Sequence, residues 1–523
     1  MNQLGGFPLL ALILFVTGLG ALMVWFIPAR RADAWRWLAF LIAAATFFIS
    51  LFLYMGWVND PDAVLQFVEG PILWLPMLGF RYYLGVDGIN LHLVMLTTLL
   101  TPLILLRAWA QESKAQMAWM LAFETGMLGA LVALDLFLFA AFGSLALLAA
   151  TCAISCDPGI TKQESTPLIR TVVTSPHFLL TGVVIVLLFA VIGGQAFTAN
   201  AWWAQTGLFG ATIVAMGLMS MGFQRQLRRA GIRQPFSPST YLLINGLLCT
   251  LGMYGMVRFC LLAFPLAVTS FAPLMMIVGL VIAAWNALAM LATDDWATTL
   301  TCWAVSQVGL DIMGIFSLHQ LGIQGVILRL IGRAIGLSVL LIPPSPRTLR
   351  LKQAVLAVGF LTALGVPGLA GFPGLSAWLM GLLRWHWQIS ASTGINAVLD
   401  WAFYIATVLV LLIAGGALLR LWHSLPRPDA NAPHSRQTWI VLPLLIAIIL
   451  LGLYPRAFMD SIAPTVHSVM VQFDLDLQDD LGQLVPVSRQ QEAEPTPQHG
   501  SSLVKAKAPS LLFVSQADPL WPH

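Results

Sequence analysis

Few residues in this sequence can hold or move charge. Lys, Arg, Asp and Glu make up 9% of the 523 positions, against 59% hydrophobic residues. Within the apolar stretches stand Glu124, Asp135, Asp311, Arg329 and Arg333. An unpaired charge at membrane depth costs at least about 2.5–3.5 kcal/mol, so each of these needs a partner or a function. Arg329 and Arg333 are four apart and share one face of a helix. They require an anionic partner, and Asp311 in the preceding apolar run or a lipid phosphate would serve. Two roles are open to the arginine pair: a fixed ion pair, or a positive field that blocks cation passage rather than conducting protons. Glu124 and Asp135 read as helix-end residues that cap or pack against a neighbour, with a place in an ion path as the alternative. Arg258 closes an apolar run, where its stem would let the guanidinium reach the interface. His177 and His319 are isolated and read as satisfying backbone groups.

Redox and metal chemistry have no foothold in these residues. Cys152, Cys156, Cys249, Cys260 and Cys302 lie inside or beside apolar segments, with no CxxC pair and no Cys/His cluster. No GxGxxG follows a strand, and no paired histidines suit haem. The reading is therefore no catalytic site, no metal and no cofactor bound by this chain. The net charge of +3 is small and dispersed, which excludes nucleic acid as a partner and leaves membrane lipids.

The elements that position these residues are membrane helices. Mean hydropathy is +0.84, and a span needs about 20 apolar residues. Segments of that kind fall near 5–27, 37–58, 89–109, 117–134, 136–156, 170–193, 207–223, 241–264, 272–293, 298–318, 321–342, 354–384, 399–421 and 438–456. The expected fold is all-α and polytopic, with about fourteen transmembrane helices. The first segment, without a basic leader and followed by Arg30 and Arg31, reads as a retained helix. Pro367 and Pro373 in GVPGLAGFPG should break the twelfth, because proline removes a donor and clashes with the preceding turn.

Basic residues alternate by loop. Arg30, Arg31 and Arg36, then Arg107 and Lys114, Lys162 and Arg170, Arg225 to Arg233, Arg347 to Lys352, and Arg420 to Arg436 mark one side, while the other is nearly bare. Lys and Arg stay cytoplasmic, which predicts an energy-transducing inner membrane with both termini on the periplasmic or equivalent outer side. From 459 to 523 the chain turns acidic and then Gln-, Glu- and Pro-containing, which reads as an extramembrane tail. Its LLFV and the terminal Leu520, Trp521 and Pro522 read as anchors that dock on a neighbouring subunit.

Five stretches give the chain a family resemblance. RYYLGVDGINLHLVMLTTLLTPL (81–103), ETGMLGALVALDLFLF (124–139), GLLCTLGMYGMVRF (246–259), MGIFSLHQLGIQGVILRLIG (313–332) and GVPGLAGFPG (365–374) occur in the order and spacing of one family's landmarks. The chain resembles the antiporter-like subunit M, or chain 4, of complex I (NADH-quinone oxidoreductase, NDH-1 type), over residues 80 to 420. The resemblance implies a membrane-arm subunit of a proton-translocating NAD(P)H- or ferredoxin-quinone oxidoreductase, with quinone, flavin and iron–sulfur clusters only in partner subunits. It also implies two inverted five-helix repeats with broken helices. The domains would then be 1–116 (helices 1–3), 117–264 and 265–421 (the repeats), 422–458 (helix 14) and 459–523 (the tail).

Departures from the pattern bear directly on function. Members of this family are thought to pump protons with a buried glutamate in the fifth helix and lysines in the seventh and eighth. Alignment of the landmarks puts Ser144, Met219 and Thr250 at those positions, the last two 31 residues apart as the family spacing requires. None of the three is charged. The resemblance therefore implies a structural, pump-deficient paralogue. The alternatives are an active proton- or cation-translocating subunit with a rewired path through Glu124, Asp135, Asp311 and the arginines, or a docking subunit of another membrane supercomplex.

Overall fold

The computed structural model of the chain describes residues 8–58, 64–75, 80–109, 113–157, a few positions between 206 and 213, 237–293, 295–341, 349–393, 397–424 and 438–484. Apolar runs become helices in order: α1 (Leu9–Phe26), α2 (Ala32–Met55), α3 (Gly88–Ala108), α4 (Lys114–Val132) and α5 (Leu136–Ser155). After them come α6 (Pro238–Ala263), α7 (Pro265–Leu291), α8 (Trp296–Phe316) and α9 (Gln320–Leu341). The set closes with α10 (Leu349–Leu364), α11 (Gly371–Thr393), α12 (Ala397–Ser424), α13 (Thr438–Leu453) and α14 (Pro455–Leu484). Among the described residues ten helices are long and apolar enough to cross a bilayer, or eleven if the bent pair α13–α14 forms one span. The expected spans at 170–193 and 207–223 lie outside the described residues, wholly or mostly.

Burial separates an inner set of helices from an outer one. α3, α4, α6, α8 and α9 are enclosed by the chain itself, whereas α1, α2, α7 and α12 leave much of their apolar surface uncovered. Phe48 and Phe52 on α2, Trp285 on α7 and Leu412 on α12 are all more than half exposed. In a bilayer such faces meet acyl chains or other subunits. Some buried hydroxyls bond across helices, as Ser306 of α8 donates to the Ala283 carbonyl of α7, while others are satisfied within their own helix. Thr97, Thr101, Thr125 and Thr151 each donate to the carbonyl four residues back.

Small residues let the inner helices touch backbone to backbone, which supplies packing where no hydrophobic force acts between helices in lipid. A Cβ on Gly126 of α4 would stand 2.5 Å from the Ala146 amide nitrogen of α5. On α9, a Cβ at Gly325 would stand 2.3 Å from the Trp378 amide nitrogen of α11. The second contact seats α11 directly on α9 and fixes what lies above the arginines of that helix.

Two features differ from the sequence expectation, at the start of α3 and at the C-terminus, and between them lies the break expected in the twelfth apolar run. A β-hairpin precedes α3: β1 (Gln66–Leu75) pairs antiparallel with β2 (Phe80–Val86). Its Glu69 carboxylate accepts from the Leu10 and Ala11 amides at 2.7 and 3.0 Å. It thereby caps α1, which has no side-chain cap of its own. The apolar run at 354–384 forms two helices, α10 and α11, with Gly365–Ala370 between them and positive φ at Gly365 and Gly368. Pro367 lies in the break, and Pro373 sits in the first turn of α11, where a missing N–H costs nothing.

The other difference is a correction at the C-terminus. Residues from 459 were expected as a tail that orders against a neighbour, yet α14 runs to Leu484 and packs on this chain's own α3, α7 and α9. The reason is an amphipathic face: Ile462, Val466, Val469, Met470 and Phe473 are all buried. The chain bends by 72° between α13 and α14, at Pro455. Residues 485–523, with the LLFV and Leu520–Pro522 anchors, lie outside the described residues. α14 approaches α3 so closely that a Cβ on Gly88 would stand 1.8 Å from the Ser461 carbonyl oxygen. Gly88 also donates its amide to Thr465 Oγ1 at 2.9 Å. Gly88→Ala is therefore expected to lift α14 and to lower stability by about 1–3 kcal/mol. Thermal unfolding, with proteolysis between 455 and 484 as reporter, would check this; wild-type behaviour would contradict the packing.

Candidate functional site

Two buried charge networks stand out among the described residues. The first joins α8, α9 and α11. Asp311, fully buried on α8, accepts from Arg329 Nε at 3.1 Å and from Arg333 Nη1 at 2.7 Å. The i, i+4 spacing on α9 lets one carboxylate meet both guanidinium groups, each oxygen taking one. Arg329 Nη2 donates to Gln307 Oε1 at 2.8 Å. The Arg329 guanidinium also lies 4.7 Å from the centre of the Trp378 ring, a cation–π contact. Trp378 is held by its own bond from Nε1 to the Leu310 carbonyl at 2.9 Å. Two cations facing one anion leave the cluster with one positive charge in excess.

This cluster borders a cavity of about 490 Å³. Arg329, Arg333, Gln307 and Thr362 give it one polar wall, Gly365 and Gly371 bring in the helix break, and leucines of α12 form the apolar side. Arg329 Nη1 and Arg333 Nε and Nη2 are buried without a hydrogen-bond partner among the described residues. Buried donors are normally satisfied, so three on one charge cluster call for an explanation. Asp311, Arg329 and Arg333, and the break holding Pro367 and Pro373, thus meet in one place.

The second network lies at the start of α3. Asp87 caps that helix: its Oδ1 accepts from the Ile89 and Asn90 amides at 2.9 and 2.8 Å, while Asn90 Oδ1 accepts from the Asp87 amide at 2.8 Å. Its other oxygen, Oδ2, accepts from Arg258 Nη1 of α6. Asn90 Nδ2 donates to the Gly85 and Leu131 carbonyls, and Tyr254 Oη donates to Leu131 as well. Hairpin, α3, the end of α4 and α6 are thereby tied at one buried point. Arg258 is 1% exposed, which corrects the expectation of a snorkelling side chain. The last turns of α6 are wound as π-helix over Met256–Cys260, which alters the face on which Arg258 emerges. Composition alone does not reveal this pair, although D-x-x-N before an apolar run is a capping signal that marks Asp87 and Asn90.

The remaining sequence candidates are placed elsewhere. Glu124 sits in mid α4, fully buried, with neither carboxylate oxygen bonded among the described residues, so it is not a helix-end residue. Asp135 is the N-cap of α5, taking the Phe137 amide at 2.7 Å and the Arg81 amide at 3.1 Å. Burial raises its pKa despite these bonds. Ser144 lies half-buried on α5, and Met219 lies outside the described residues. Thr250 on α6 is 1% exposed and donates to the Gly246 carbonyl at 2.8 Å. Its neighbour Cys249 stands within the field of Arg333 and Asp311. His319, between α8 and α9, accepts from the Leu321 amide at 3.1 Å; burial and Arg384 lower its pKa. His177 lies outside the described residues.

The Asp87–Arg258 pair yields a direct test. Asp87→Asn strands a buried guanidinium and is expected to cost about 3–5 kcal/mol in unfolding of the detergent-solubilised chain. The double variant Asp87→Asn/Arg258→Met, which keeps a capping side chain at α3, should recover much of that loss; a single variant as stable as wild type would contradict the network.

No family model matches the chain. The NADH-quinone oxidoreductase subunit M of Rhodobacter capsulatus is 28% identical over 500 aligned residues, covering 86% of this chain and 93% of that protein. The NAD(P)H-quinone oxidoreductase chain 4 of Prochlorococcus marinus (strain NATL2A) is 25% identical over 517, covering 89% and 92%. Among solved structures, a chain of respiratory complex I from Thermus thermophilus superposes with TM-score 0.68 at 19% identity, over 89% of this chain and 99% of that one. A chain of the Mrp complex from Dietzia sp. DQ12-45-1b gives 0.71 at 16% identity, over 89% and 98%. The chain is a homologue of proteins bearing these subunit names, and its fold is that of the antiporter-like membrane subunits.

Proposed function

We propose that this homologue of the M-type and chain 4 subunits serves in the membrane arm of a complex I-like assembly, with the antiporter-like fold kept and the family's Glu/Lys relay lost. Thr250 carries this reading. At the position that the resemblance aligns with the eighth-helix lysine stands a buried hydroxyl that donates to Gly246 of its own helix. Such a side chain cannot change charge. Ser144, at the position of the fifth-helix glutamate, has no ionisable proton in the working range either. A subunit relieved of pumping gains stability when buried charges give way to neutral residues, because the cost of desolvating each is removed.

The charges that remain support a structural role. Asp311 with Arg329 and Arg333, and Asp87 with Arg258, each tie separate helices together. The exposed apolar flanks of α1, α2, α7 and α12 suit lipid and neighbouring subunits, which makes other membrane-arm subunits the partners.

A second reading has one observation in its favour, the cavity beside Arg329 and Arg333. In that reading the subunit moves ions by a path through Asp311 and the arginines. The proton-to-electron ratio separates the two. The assembly purified through a tag on this chain and placed in proteoliposomes is expected to keep its ratio in Glu124→Gln and Arg333→Gln, provided that subunit composition is intact. A lower ratio with an intact assembly would overturn the structural reading.

A further inference from the structure

We infer that the cavity bordered by Arg329, Arg333 and the α10–α11 break is a binding site for one oxyanion group, either a free inorganic oxyanion or the acidic head of an amphiphile. The inference concerns this cavity alone and stands whether or not the subunit pumps.

Charge is the first argument. Asp311 answers one guanidinium, yet it is shared by two, so among the described residues one positive charge stays uncompensated beside the cavity. The side chains concerned are 93–94% buried, Arg329 at 7% and Arg333 at 6% exposure, which denies them bulk water. Unfilled hydrogen bonding is the second argument. Arg329 Nη1, Arg333 Nε and Arg333 Nη2 have no acceptor among the described residues; these atoms are themselves closed to water, but their side chains line the cavity, so turning a guanidinium would bring donors to a ligand there. An oxyanion presents several lone pairs to a guanidinium fork, which is the geometry arginine favours over lysine.

The break supplies the third argument. α11 begins at Gly371, on the cavity wall, and a helix N-terminus carries a partial positive charge. The opposing C-terminal carbonyls of α10 are already engaged: Leu361 accepts from Val366 N at 3.0 Å and Thr362 from Gly365 N at 3.1 Å. The negative end is thus partly quenched by its own loop, as is one donor of the positive end, Phe372 N, which bonds the Leu369 carbonyl at 3.0 Å. A cation would meet two arginines and a helix N-terminus here, so the site selects against cations.

The two sources of the oxyanion differ in how they would use the apolar wall. A free ion would occupy only the arginine end. An amphiphile would add a chain along Leu411, Leu412 and Leu419 of α12, of which Leu412 and Leu419 are 67% and 49% exposed at the outer surface. The volume of about 490 Å³ accepts either.

The test uses the full chain in nanodiscs of zwitterionic lipid, with inorganic phosphate and oleate as separate probes and thermal unfolding as readout. A saturable rise in midpoint is expected with at least one probe. Phosphate alone would identify a free oxyanion, and oleate alone or more tightly would identify an amphiphile head. Arg333→Gln should weaken the response about tenfold or more. Leu411→Trp, which fills the cavity and leaves the charge cluster intact, should block oleate. If neither probe stabilises the wild-type chain, or if both variants respond as wild type does, the site is not an oxyanion site.

Discussion

The arginines buried among the inner helices are each answered by a carboxylate, and this pairing shapes the molecule at two points of its core. Arg258 is answered by Asp87, which is itself fixed as the cap of α3. Arg329 and Arg333 are answered by Asp311. Asp87–Arg258 joins helices 171 positions apart and Asp311 joins α8 to the next helix, α9, so the requirement to neutralise charge becomes a requirement to bring those helices together. Replacing a pair by apolar residues can be neutral or stabilising, whereas removing one partner is costly. The pairs therefore specify an arrangement more than they add stability.

Packing makes those pairings possible. Gly325 on α9 meets the backbone of α11 at Trp378, so the indole lies under Arg329 and bonds back to α8 through Leu310. The α10–α11 break then faces the same cluster, and non-helical backbone at membrane depth is tolerated only where it is buried or lines a cavity. At the other network, the hairpin caps α1 and meets the Asp87 cap, while α14 closes over Gly88 and binds it through Thr465.

Much of this was legible in the sequence, and the rest was not for identifiable reasons. Hydropathy places the helices because a bilayer sets their length, and the Arg329/Arg333 spacing with Asp311 upstream points to a shared partner. The break at GVPGLAGFPG is marked by its prolines and glycines. The hairpin escapes because QFVEGPILWL and FRYYLGV lack a two-residue turn signal and sit between long apolar runs. α14 escapes because its acidic residues mask an apolar face that only the 3.6-residue period reveals. Arg258 was misjudged because its partner is 171 positions away and the π-winding of α6 is not written in composition.

The most direct test of the central claim is a high-resolution map of the intact assembly purified through this chain, read for ordered water along the midplane near Ser144, Thr250 and Asp311. The account predicts membrane-arm subunits on the apolar flanks and a midplane without a continuous water file, any water near Asp311 being confined to the cavity at the break. An unbroken file of water linking Asp311 and the arginines to both membrane surfaces would contradict it and make this subunit a conductor.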